Sequence, residues 1–129
     1  MGLQKVKLHT VFRDNKLNHQ IISGLKEKKV LITGATGGIG SSLVRMFANE
    51  GAAIGIHYHQ NQKQAKSLLR DIETNKGRAK CFQADLLSTN KLSLVQDFIE
   101  QFGGIDILIN NAGGIIGFED FLELNELAW

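Results

Sequence analysis

An α/β fold built on a parallel sheet is predicted by three observations. Short apolar runs alternate along the chain with longer amphipathic stretches, and turns rich in glycine separate them. The first apolar run, Val30, Leu31 and Ile32, has no polar alternation, as expected of a strand buried on both faces. Glycines begin directly after Thr33 and lead into a helical pattern, so strand, sharp turn and helix follow one another within residues 29–43. Strands alternating in this way with amphipathic helices call for a parallel sheet covered on both faces, joined by right-handed crossovers.

Each element has its own pattern. In the first helix, Ile39, Leu43, Val44 and Phe47 are expected to share one face, and Asn49-Glu50-Gly51 supplies a glycine stop. Residues 52–58 read as a second buried strand. Residues 61–74 place Ala65, Leu68, Leu69 and Ile72 on one side of a helix that closes near Gly77, and residues 78–84 form the third strand. Ser88 or Thr89 is the expected cap of a third helix, whose apolar stripe is Leu92, Val95, Phe98, Ile99 and Phe102 before Gly103-Gly104. Residues 105–109 are the fourth strand, residues 110–114 break it, and residues 120–129 read as the start of a further helix.

The chain divides into an N-terminal extension, residues 1–25, and one α/β domain, residues 26–129. In the extension, Val6, Leu8 and Phe12 fall at even positions, so a short strand with imperfect alternation and a turn at residues 13–16 is one reading; a loose leader is the other.

Composition sets bounds on function. The 129 residues are 43% hydrophobic and 22% charged, ordinary for a globular domain. No apolar run approaches the roughly 18 residues of a membrane span, and the polar N-terminus lacks the apolar centre of a signal peptide, so a cytoplasmic location without membrane contact is expected. The single cysteine, Cys81, falls in a predicted strand and reads as a small apolar residue. Net charge is +2, but residues 1–80 carry +9 and the remainder −7. The basic residues Lys63, Lys66, Arg70, Lys76, Arg78 and Lys80 lack interleaved aromatics to stack bases, so solvated faces are favoured over a nucleic-acid surface.

The glycine stretch carries the chemistry. The first N–H groups of a helix have no partner within it, and the peptide dipoles place partial positive charge at that end, so an anion fits there. Gly34, Gly38 and Gly40 allow a tight turn, admit a pyrophosphate against bare backbone and bring the helix close to the sheet; a side chain at any of them would intrude. With strand 1 central, the order is 3-2-1-4, and ligands bind beyond the carboxyl ends of the strands where the order reverses. The glycine turn, Asp85 and Asn110 all fall at those ends.

Three motifs, Thr33-Gly34-Ala35-Thr36-Gly37-Gly38-Ile39-Gly40, Asp85-Leu86 and Asn110-Asn111-Ala112-Gly113, resemble in order and spacing those of the short-chain dehydrogenase/reductase family. The resemblance covers residues 26–129, and within the family the chain is similar to the 3-oxoacyl-acyl-carrier-protein reductase type. It implies a Rossmann-type sheet, incomplete after strand 4. It also implies hydride transfer between a nicotinamide dinucleotide and a carbonyl or alcohol, with a 3-oxoacyl thioester as one candidate substrate. Gly34, Thr36, Gly38, Ile39 and Gly40 then lie along the cofactor pyrophosphate. Asp85 meets the adenine amino group with Leu86 beside it, Asn110 supports the cofactor and the central sheet, and Ala112 and Gly113 admit the nicotinamide ribose. Tyr58 and His59, at the end of strand 2, fall where the adenine ribose is recognised. No carboxylate stands there to repel a 2′-phosphate, and His59 with Lys63 can assist one, so NADP is favoured over NAD.

Family members carry a catalytic Ser and a Tyr-x-x-x-Lys motif on later elements. The only tyrosine here, Tyr58, already belongs to strand 2. The chain is therefore expected to be the cofactor portion of such an enzyme, catalytically incomplete alone and without catalytic residues or a metal site of its own. A stand-alone nucleotide-binding or assembly module is the alternative. An uncovered side of strand 4 further predicts a homo-oligomer, with Val6 to Phe12 a candidate for edge pairing.

Overall fold

The structure, a computed structural model, describes residues 24–88 and 91–113. Four parallel strands, β1 (Lys29–Ile32), β2 (Ala53–Tyr58), β3 (Arg78–Gln83) and β4 (Ile107–Ile109), form one sheet in the order β3-β2-β1-β4. Three helices connect them: α1 (Gly38–Asn49), α2 (Gln62–Thr74) and α3 (Lys91–Phe102). The order is the one expected, with β1 in the interior and the reversal between β1 and β4. The expectations for residues 1–23, for Thr89 as a cap and for a helix over residues 120–129 lie outside the described residues.

The alternation of side chains along each strand divides the core in two. Val30 and Ile32 of β1 and Ile54, Ile56 and Tyr58 of β2 join Val44 of α1 and Leu68 of α2 on one face. Leu31, Ala53 and Phe82 point the other way, toward Leu94, Phe98 and Phe102 of α3. The rings of Phe98 and Phe102 stack at 4.6 Å between centroids, and Phe82 lies tilted 5.7 Å from Phe98. Among the described residues, no helix is long and apolar enough to cross a membrane.

Helix ends follow their local chemistry. The Asn61 side chain accepts the Gln64 N–H at 3.2 Å and so caps α2. At the other end of α1, Gly51 takes φ +84° and the chain enters β2 two residues later. Strand ends move by one or two residues: β2 begins at Ala53 and β3 ends at Gln83. β4 begins at Ile107 rather than 105, because Asp106 is occupied in docking to the start of β1. Its N–H donates to the Lys29 carbonyl at 2.9 Å, and its carboxylate accepts the Lys29 N–H at 2.8 Å.

Two helical stripes differ from expectation. In α3, Leu92 is 74% exposed and Ile99 is exposed too, while Leu94, absent from the expected stripe, is buried. Residues 94, 98 and 102 recur every four positions and make the contact row. The ring of Phe98 descends onto Gly55 of β2, where any Cβ would stand 2.6 Å from it, and this close approach fixes the helix's rotation. In α1, Leu43, Val44 and Phe47 pack on the core, but Ile39 is 72% exposed. It sits in the first turn, beyond the end of the sheet.

Candidate functional site

The carboxyl ends of β1, β2 and β3 and the start of α1 enclose an open cleft of about 870 Å³. Its floor is the glycine turn. Gly34 takes φ +61°, and a Cβ there would stand 2.8 Å from the Cα of Ala112. At Gly40 a Cβ would meet the Gly34 carbonyl oxygen at 2.2 Å, so this glycine lets α1 close on the turn. Gly38 differs. Nothing lies within 4 Å of its would-be Cβ, which points into open space. The expectation that a side chain at any of the three would intrude thus holds against the protein itself at Gly34 and Gly40, and no protein atom meets it at Gly38.

The first turn of α1 has no side-chain cap. Its cap is Gly37, which has no side chain to satisfy the free N–H groups, and no acidic residue stands in the first turn. The Ser41 and Ser42 hydroxyls both donate to the Gly38 carbonyl at 3.1 Å, so they leave those N–H groups unclaimed.

One wall comes from the end of β4. The Thr33 hydroxyl donates to the Ile109 carbonyl at 3.3 Å and accepts the backbone N–H groups of Asn111 and Ala112, each at 3.0 Å. The Asn111 side-chain amide donates to the carbonyls of Thr33 and Gly34 at 3.2 and 3.1 Å. Support of the central sheet, expected of Asn110, thus comes from Asn111. Asn110 itself is exposed, and Asn111, Ala112 and Gly113 border the cleft in its place. β4 ends at Ile109, and the turn in which the Asn111 N–H donates to the Ile109 carbonyl at 3.1 Å brings Asn111 to the Thr33 and Gly34 carbonyls.

The opposite wall is the end of β3. Asp85 is exposed and borders the cleft with Leu86; its carboxylate accepts the Leu87 N–H at 3.0 Å, and its carbonyl accepts the Ser88 hydroxyl at 2.8 Å. At the end of β2 the expected pair separates. His59 is exposed on the cleft rim, whereas Tyr58 is only 6% exposed and belongs to the core beneath the sheet. Thr36, Gly38, Ile39 and Gly40 reach the cleft with Gly34, and the exposure of Ile39 is explained by that position.

His57 has a larger place than expected. It lies within the stretch read as a buried strand and is 2% exposed, but no motif marks it as part of the site. Its Nδ1 accepts the Gly34 N–H at 3.0 Å, and its Nε2 lies 2.9 Å from the Ala84 carbonyl. Burial holds the imidazole below its ordinary range near 6.5; the Ala84 carbonyl opposes that shift, and His59 adds to it. The run of residues 52–58 as a buried strand is the sequence signal that places His57 inside. Cys81 stands apart from the cleft: its thiol donates to the Ala65 carbonyl at 3.4 Å, and burial first, then Glu73, raises its pKa.

Residues 28–129 match the family described as short chain dehydrogenase. The chain is 30% identical over 87 residues to the 3-oxoacyl-[acyl-carrier-protein] reductase FabG of Staphylococcus aureus, covering 67% of this chain and 35% of that protein. A crystallised short chain dehydrogenase of Burkholderia cenocepacia J2315, in complex with NADP, is 32% identical with a TM-score of 0.72; the match covers 82% of this chain and 43% of that one. The NADH-dependent reductase A1-R′ responsible for alginate metabolism, solved with NAD, is 37% identical with a TM-score of 0.70, over 81% of this chain and 44% of that one. The chain spans between 34% and 39% of the length of the curated relatives it matches.

Proposed function

The chain belongs to the short chain dehydrogenase family, and on that premise we propose that it binds a nicotinamide dinucleotide as the cofactor portion of an oxidoreductase. The observation that carries the reading is the floor of the cleft. Gly34 and Gly40 are filled by the protein's own backbone, while the space over Gly38, beside the uncapped start of α1, is open to a diphosphate.

In this reading Gly34, Thr36, Gly38, Ile39 and Gly40 hold the pyrophosphate, Asp85 and Leu86 take the adenine, and Ala112 and Gly113 admit the nicotinamide ribose. Asn110 remains a candidate only through its neighbour, since Asn111 lines the cleft. His59 receives the adenine ribose, and Tyr58 contributes from below the sheet. Bound nicotinamide supplies hydride chemistry between a carbonyl and an alcohol; this chain's residues bind and orient it. NADP is favoured over NAD because the end of β2 offers His59, Gln60 and Asn61 and no carboxylate. A 3-oxoacyl thioester is the substrate class suggested by the resemblance and by the FabG match.

The reading also holds that residues 1–129 alone do not turn over substrate. Tyr58, the only tyrosine, is buried in β2 and cannot meet a substrate as acid or base. That observation also favours the second reading, a non-catalytic nucleotide-binding or assembly module. Self-association belongs to the same proposal: among the described residues β4 pairs only with β1, and Leu108 on it is exposed.

Titration with NADPH and NADH, followed by nicotinamide fluorescence, tests the reading. The expected result is saturable binding of both, tighter for NADPH, with no oxidation of the nucleotide in the presence of carbonyl compounds. Absence of binding overturns the reading; oxidation overturns the assignment of incompleteness.

A further inference from the structure

We propose that His57 is a positioning residue for the dinucleotide, a two-ended clamp that ties the glycine turn to the end of β3. The inference rests on the functional reading above and adds to it a side chain that the motifs do not contain.

The geometry allows one protonation state. A backbone N–H can only donate, so Nδ1, 3.0 Å from the Gly34 nitrogen, carries no hydrogen. A carbonyl can only accept, so Nε2, 2.9 Å from the Ala84 oxygen, carries one. The neutral Nε2–H tautomer satisfies both partners, and neither the other tautomer nor the cation does. Protonation at Nδ1 sets two donors against each other and leaves the Gly34 N–H without an acceptor in a site that is 2% exposed.

The clamp acts on both halves of the cleft at once. Gly34 has its N–H held by His57 and its carbonyl held by Asn111, so the first glycine of the turn is fixed at both polar atoms by side chains. Ala84 directly precedes Asp85, the residue proposed to meet the adenine. Separation of either contact therefore lets the diphosphate floor and the adenine wall move independently. Around the imidazole, His59 follows on β2 and Asp85 on the β3 exit; residues 33–40 of the glycine turn contain no titratable side chain, and Leu94 and Phe98 of α3 are apolar.

The decisive experiment compares the wild-type chain with His57→Asn and His57→Phe. The Asn side-chain oxygen falls near the place of Nδ1 and does not titrate, whereas Phe fills the space without any acceptor. Affinity for oxidised NAD, which lacks the 2′-phosphate and its titration, is measured by calorimetry between pH 7.5 and 4.5, a window that extends well below the ordinary imidazole range because burial lowers the His57 pKa. Wild type is expected to lose affinity toward tenfold per pH unit once the imidazole titrates. His57→Asn, which keeps the Gly34 contact and loses the Ala84 one, is expected to lose about threefold to tenfold at pH 7.5 with that pH dependence removed, and His57→Phe, which loses both, to lose more than His57→Asn at every pH. An equal acid slope in His57→Asn, or full affinity in His57→Phe, overturns the proposal.

Nitrogen-15 spectra of the ligand-free wild-type chain judge the clamp separately from dinucleotide binding, and they do so even if His57→Phe does not fold. A hydrogen on Nε2, and a Gly34 amide whose exchange protection falls as the imidazole protonates, are the expected signatures. A hydrogen on Nδ1 overturns the clamp. A chain with the expected spectra that binds no dinucleotide at pH 7.5 overturns the positioning role and, with it, the functional reading, while leaving the hydrogen bonds in place.

Discussion

The Thr33 hydroxyl and the backbone N–H of Ala112 meet at 3.0 Å, joining the last residue before the glycine turn to a segment 79 positions later. The same oxygen accepts the Asn111 N–H and donates to Ile109, so one buried side chain organises the exit of β4. Thr33→Val keeps the shape and removes the hydroxyl. The Ala112 N–H loses its acceptor and the Asn111 N–H keeps only the Ile109 carbonyl, 3.1 Å away, so the expected cost is about 1–3 kcal/mol of stability. Urea denaturation of the two chains measures it; Thr33→Ser, which restores the oxygen, should recover most of the loss.

Gly38 and Gly40 should separate folding from binding. Gly40→Ala drives a methyl group against the Gly34 carbonyl at 2.2 Å, and overpacking of this kind costs about 1–3 kcal/mol. Its melting temperature is expected to fall together with NADPH affinity. Gly38→Ala meets nothing within 4 Å, so its melting temperature should match wild type while NADPH affinity falls at least about tenfold. Thermal unfolding and fluorescence titration of both variants check the pair. Undiminished binding by Gly38→Ala would place the diphosphate elsewhere.

In α3 the contrast is between neighbours. Leu94 is 4% exposed and Leu92 74% exposed. Leu94→Ala is expected to cost about 2–5 kcal/mol, as for other core leucines, and Leu92→Ala less than about 0.5 kcal/mol. Chemical denaturation distinguishes this from the stripe suggested by sequence spacing, which would make Leu92 the costly position.

Much of this was legible in the sequence. The apolar run Val30 to Ile32, the glycines and the repeat of strand and helix suffice for the parallel order 3-2-1-4, because few topologies satisfy the handedness and burial of such a chain. The walls of the cleft were also foreseeable from Asp85 and the residues after β4. What sequence could not show was rotation within elements. Leu92 and Leu94 are equally apolar, and only the ring of Phe98 seated on Gly55 selects between them. Asn110 and Asn111 are chemically identical, and only the path of the chain after β4 assigns the hydrogen bonds to Asn111. His57 was legible as part of a buried strand but not as a brace; its two partners, Gly34 and Ala84, lie 23 and 27 positions away and become neighbours only in the sheet.

Those separations bear on the order of assembly. The glycine turn is short-range in the chain, but its braces arrive late: Gly34 is held by one side chain from β2 and by another, Asn111, 77 positions downstream. During synthesis, a nascent chain that has emerged only as far as β3 can therefore form the bend and hold it from one side, yet its carbonyl has only the local Gly37 N–H, 3.3 Å away, until β4 docks beside β1 and brings Asn111. Full bracing of the bend and closure of the sheet are then a single cooperative event, and the bend serves as a reporter of long-range folding rather than as its seed.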